Sequence, residues 1–223
     1  MRKLFLALVL LAVAFPFHAA RADSIIASNP GGHAAFNLIP FGSDFGSGRY
    51  QEVYSSSLFS GPVEITSLAF SPRDTTLYSA NIDLRMTTTT VGVGNLTTNL
   101  DNNFSIPLTD VFSDANFSEN VTGGSETFSL VFNLTNPFIY DPAQGNLLLD
   151  LVISNQNVSL PFSRSGSGDI ISRAYNSSGF GDGADGVGLR TEIGFTSVPE
   201  PGTLLMLGTG LLTMTGAIRR RLM

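Results

Sequence analysis

Tyr78-Ser79-Ala80-Asn81-Ile82-Asp83-Leu84-Arg85-Met86-Thr87-Thr88 alternates without a break. Tyr78, Ala80, Ile82, Leu84 and Met86 fall on one face, and Ser79, Asn81, Asp83, Arg85 and Thr87 on the other. A period of two puts successive side chains on opposite faces of an extended chain, so the stretch predicts a half-buried strand. The pattern recurs on either side. Residues 127–134 turn Phe128, Leu130, Phe132 and Leu134 inward, and residues 189–195 do the same with Leu189, Thr191, Ile193 and Phe195. Residues 147–153 are apolar on both faces except at Asp150, which predicts a central strand. Residues 50–59, 63–70 and 169–175 are further strands. Turn clusters separate them: Ser60-Gly61-Pro62, Ser71-Pro72-Arg73-Asp74, Gly123-Gly124, Asp141-Pro142 and Gly181-Asp182-Gly183. No stretch between them has a helical period. Many short antiparallel strands with polar turns predict an all-β fold, a single antiparallel β-sandwich of jelly-roll-like kind, over residues 23–197.

The two ends read differently. Arg2 and Lys3 precede an apolar run over residues 4–15, Pro16 breaks it, and Ala20-Arg21-Ala22 places small residues before Asp23. Residues 1–22 are therefore expected to be a secretory signal peptide with cleavage after Ala22, brought to the membrane by the Sec machinery and removed by signal peptidase. At the other end Val198-Pro199-Glu200-Pro201-Gly202 leads into an apolar run over residues 203–218 and then Arg219-Arg220-Arg221. The prolines stop a helix from running out of the body, and Pro201 suits the first turn of one that follows. Sixteen residues make a helix of roughly 24 Å, short for a hydrocarbon core of about 30 Å. The arginines would stay in the cytoplasm and leave Pro-Glu-Pro and the body outside. A plain C-terminal anchor is the alternative reading of the segment.

Pro-Glu-Pro, a short apolar helix and an arginine cluster, in that order over residues 198–223, resemble the PEP-CTERM sorting signal of exported bacterial proteins. The resemblance implies recognition and cleavage by a membrane-embedded exosortase. Pro199, Glu200 and Pro201 would be the recognition element, and Arg219, Arg220 and Arg221 the retention charges. The precursor would be exported and anchored by its tail, then released to the cell surface or extracellular space. Parts of the body are similar to a recurring type of such proteins: Tyr50-Gln51-Glu52-Val53-Tyr54, Asn95-Leu96-Thr97-Thr98-Asn99-Leu100, and the run from Pro137 to Asp150. That similarity implies a jelly-roll-like sandwich and brings no activity. In the last run Asp141-Pro142 can open a turn, and Gly145 or Asn146 can supply its left-handed residue.

Without its two ends the body has six arginines, no lysine and 17 acidic residues, a formal charge of −11. So acidic a surface argues against nucleic acid as a partner. The chain has no cysteine, which removes thiol nucleophiles and thiolate metal sites. Only His33 would survive processing, in a loop, so neither a Ser-His-Asp triad nor an ordinary zinc site is expected. No cofactor is expected. Paired carboxylates could hydrolyse glycosides without histidine. Asp44, Glu52, Glu64, Asp74, Asp83, Asp101, Asp110, Asp114 and Glu119 are available, nothing singles out a pair, and most should be solvated. Asp182 and Asp185, in the glycine-rich residues 179–188, are a candidate Ca²⁺ site, against the simpler reading of a hairpin loop. Seven Asn-x-Ser/Thr triplets reflect composition. The expectation is a non-enzymatic exported protein of the envelope or exopolysaccharide matrix. A carbohydrate-binding module and a glycoside hydrolase are the alternatives.

Overall fold

The alternation around Ile82 becomes a strand of 14 residues, β5 (Thr76–Thr89), in a computed structural model that describes residues 22–31 and 36–198. The others are β1 (Ala22–Ala27), β2 (Phe36–Asn37), β3 (Gly48–Tyr54), β4 (Val63–Phe70), β6 (Thr109–Val121), β7 (Leu130–Tyr140), β8 (Asn146–Ser154), β9 (Phe162–Ser163), β10 (Ile171–Ser177), β11 (Gly181–Asp185) and β12 (Thr191–Ser197). The all-β, antiparallel expectation is borne out. One sheet has the order β1-β12-β4-β7 and the other β11-β10-β3-β8-β5-β6, with β2 and β9 a short ribbon beside them. The chain passes from sheet to sheet between β3 and β4, β4 and β5, β6 and β7, β7 and β8, and β11 and β12.

The inward faces of the two sheets form one core. Ile65, Leu68, Phe70, Leu130, Phe132 and Ile193 of the smaller sheet meet Tyr50, Tyr54, Ile82, Leu84, Met86, Leu149 and Leu151 of the larger. Phe41 packs between them, with ring centroids 5.0 Å from Phe70 and 4.9 Å from Phe162. Each such side chain contributes roughly 1.5–3 kcal/mol by leaving water. The larger sheet is covered on its second face as well. Leu96 and Leu100, from the segment between β5 and β6, pack on Val53, Leu148 and Ala174. The Thr87 hydroxyl donates to the Ile106 carbonyl at 3.2 Å, and Thr89 to the Asn103 carbonyl at 2.7 Å. This cover explains why residues 147–153 are apolar on both faces.

Three expectations need correction. The strand expected at 127–134 begins at Leu130 and runs on to Tyr140. Its pairing with β4 jumps from Phe138 opposite Ile65 to Asn133 opposite Ser67, so Pro137 sits in a wide bulge where no ladder bond is required of it. The glycine-rich residues 179–188 are not simply a loop: Gly181–Asp185 pair with β10, and the turn is at residues 178–180. A 13-residue strand, β6, stands where none was expected. Two register shifts against β5 break its alternation.

Candidate functional site

The most direct link between body and tail is β12. It lies inside its sheet, paired with β1 on one side and β4 on the other. Its last core ring, Phe195, packs on Phe59, centroids 5.9 Å apart, and Phe59 packs on Tyr140 at 5.0 Å. Ser197 pairs with Val63, and the Val198 N–H donates to the Pro62 carbonyl at 3.1 Å. Pro199 follows at once. Pro199, Glu200, Pro201, the apolar residues 203–218 and Arg219, Arg220 and Arg221 lie outside the described residues, as do Ala20 and His33. Among the described residues no helix is long and apolar enough to cross a membrane. Ala22 opens β1, exposed and opposite Thr196, so both expected processing points border the same pair of strands.

The outer face of the larger sheet carries a polar network on a buried carboxylate. Asp150, on β8, has no exposed surface. Its Oδ2 accepts from Arg49 Nε at 2.8 Å and from Gln51 Nε2 at 2.6 Å, and its Oδ1 from Arg85 Nη2 at 2.5 Å. Arg49 also reaches Asp101 at 2.6 Å, and its guanidinium lies over the Phe104 ring at 5.7 Å. Burial lowers the Arg49 pKa, and its hydrogen bonds and charge pairing with Asp150 and Asp101 more than reverse that. Beside the network lies a cleft of about 260 Å³ lined by Asp83, Arg85, Asp110, Phe112, Ser113 and Val152. A bulge shapes it. Leu84 faces Phe112 and Arg85 faces Asp110, which leaves Val111 as the extra residue of β6. The Ser113 hydroxyl donates to Asp83 at 2.5 Å. Of the expected carboxylates, this cleft brings together Asp83 and Asp110.

The remaining acids are dispersed. Asp44 accepts from Ser159, Glu64 from Thr196 at 3.3 Å, and Asp114 from the Asn116 N–H at 2.8 Å. Asp74 and Asp101 are exposed and Glu119 is half-buried. Glu52 departs from the expectation of solvated acids: it is wholly buried in the core. The Tyr50 hydroxyl and the Leu189 N–H, the latter at 3.0 Å, donate to its Oε2, and the Thr191 hydroxyl stands 3.4 Å from its Oε1. Burial pushes its carboxyl up to about 7, against the lowering influence of the Tyr50 and Leu189 hydrogen bonds and of Arg173. A fully enclosed carboxyl cannot meet a substrate. Its work is to tie β3 to β12 across the core.

Asp182 and Asp185 are three apart on β11 and therefore point to opposite faces. Asp185 forms a two-bond pair with Arg173, at 2.9 and 3.0 Å, and Asp182 accepts from Asn176 at 2.6 Å. Among the described residues no three His, Cys, Asp or Glu side chains gather as a metal site.

Residues 197–221 match the family model of the PEP-CTERM protein-sorting motif. The chain carries a PEP-CTERM sorting signal. Such a signal marks an exported, membrane-anchored precursor and names an exosortase as its processing partner. The match begins on Ser197, the last residue of β12, and leaves the rest of the sandwich outside it. No curated protein and no solved structure matches the chain.

Proposed function

We propose that the protein is a non-enzymatic exported protein whose sandwich is the cargo of its PEP-CTERM signal. Sec machinery and signal peptidase act at its N-terminal segment, with Ala20 and Ala22 at the cleavage positions. An exosortase then cleaves near Pro199-Glu200-Pro201, and the body joins the envelope or exopolysaccharide matrix. The body is read here as a jelly roll. The strand orders support this: β1, β3, β4, β5, β6, β7, β8 and β12, taken in chain order, interleave as two Greek keys, with β10 and β11 added at one edge. The observation that carries the sorting reading is the match over residues 197–221. It is tested by replacing Pro199-Glu200-Pro201 with alanines in cells that produce an exosortase. The expected result is accumulation of precursor with an intact tail, seen by mass spectrometry. An unchanged mature mass and location would leave only an anchored β protein.

The cleft favours a second reading, a saccharide-binding module. Two carboxylates, a guanidinium and a hydroxyl line the cleft and can bond sugar hydroxyls. A glycan array with no hits, or hits unaffected by D83N and D110N, removes it. Release of reducing ends from a bound glycan, lost in the same variants, would replace binding by hydrolysis.

A further inference from the structure

The fold leaves no spacer between sandwich and signal. β12 is paired with β1 as far as Thr196 and with β4 as far as Ser197, and the next residue, Val198, bonds to Pro62. Successive Cα atoms are about 3.8 Å apart, so Pro199 lies within about 8 Å of Ser197 and Glu200 within about 12 Å. An enzyme in the bilayer that grips Pro-Glu-Pro therefore reaches the end of the sandwich as well.

That end is built by residues 55–62, which enter β4, and residues 141–145, between β7 and β8. Val63 pairs with both Ser197 and Tyr140, and the Ser56 N–H donates to Asn146 at 2.9 Å. Both segments are held in shape by their own side chains. Ser55 accepts from the Ser57 N–H at 3.3 Å, and Asp141 from the Ala143 N–H at 3.0 Å. Their sequences, Ser55-Ser56-Ser57-Leu58-Phe59-Ser60-Gly61-Pro62 and Asp141-Pro142-Ala143-Gln144-Gly145, hold one carboxylate and no base. The surface is preformed, small in its side chains and almost uncharged. It suits close approach by another protein and offers nothing to anionic lipid.

We infer that this end of the sandwich, residues 55–62 and 141–145, is a docking surface for the outer face of the sorting enzyme, which thus meets the folded body together with the tail. The inference rests on the exosortase reading. It is tested with the full-length precursor in cells producing a catalytically inactive exosortase. A photo-crosslinking residue is placed at Ser57, Ala143, Thr203 or Phe180. Phe180 is exposed and lies at the other end of β3, since Ser177 pairs with Gly48 and Ile171 with Tyr54. Adducts with the enzyme are expected from positions 57, 143 and 203 and not from 180. Inserting a flexible linker of 20 residues between Val198 and Pro199 should remove the adducts at 57 and 143 and keep that at 203. An adduct at 203 alone, or adducts to lipid alone at 57 and 143, overturns the docking surface. Absence of the adduct at 203 overturns the exosortase reading beneath it.

Discussion

Glu52 shows how much one side chain can depend on its surroundings. Tyr50, Glu52 and Tyr54 are spaced by two, so tyrosines that face the core carry the glutamate in with them. The alternation was legible in the sequence. The partners that make burial tolerable were not, because Leu189 and Thr191 come from the far end of the chain. Burial raises the folded pKa from 4.5 to about 7, so the folded state holds the proton more tightly than the unfolded one. Stability from this group is therefore full below pH 4.5, falls as pH rises, and levels off above about 7. The fall is about 3 kcal/mol, at about 1.4 kcal/mol per pH unit. Glu52→Gln removes the titration. Its stability relative to the natural protein should rise between pH 5 and pH 8 in urea-unfolding curves, and parallel curves at the two pH values would contradict the assignment. Gly145 is a case the sequence did announce, with Asn146 as the alternative. It has φ +138°, and an added Cβ would stand 2.5 Å from the Thr89 carbonyl oxygen. Asn146 is instead the first residue of β8. Gly145→Ala should lower stability by about 2–3 kcal/mol, measured by thermal unfolding.

At the scale of elements, unbroken patterns were readable and broken ones were not. β5 keeps clean alternation as far as Met86, and β8 keeps its apolar run. β6 was hidden because its core-facing side changes phase: Phe112 and Phe117 both pack on Phe132 although they are five residues apart, with a bulge against β5 taking up the shift. β11 was hidden because glycine and aspartate are poor strand formers; cross-strand partners on β10, with Arg173 binding Asp185, hold it. Asp150 was visible as the one polar residue in an apolar run. Its partners were not, since Arg49 and Arg85 come from the strands on either side of β8. Two guanidiniums share this buried carboxylate, so Asp150→Ala should cost about 3 kcal/mol, taking it from Arg85 and leaving Arg49 with Asp101 alone. The same variant should loosen the cover, read as faster amide exchange at Leu96 and Leu100. Unchanged exchange there would show that the cover stands on its apolar contacts alone.

For the whole molecule, the order of the smaller sheet sets when folding can finish. β12 is the last strand among the described residues, yet it sits between β1, the first of them, and β4. Neither neighbour can complete its ladder until residues 191–197 are present, and the closure joins segments more than 160 residues apart, as Asp23 with Phe195 shows. Such long-range pairing makes folding slow and places it after synthesis of nearly the whole body. A sandwich that stays folded after processing requires the cut to fall beyond Ser197, because a cut inside β12 would remove part of an interior strand that packs Ile193 and Phe195 on the core. A chain of residues 23–198 should therefore unfold in one cooperative thermal transition with fixed near-ultraviolet circular dichroism. A chain of residues 23–192 should lose both signals. If the shorter chain keeps its cooperative transition, β12 is dispensable and the fold places no limit on where the sorting enzyme cuts.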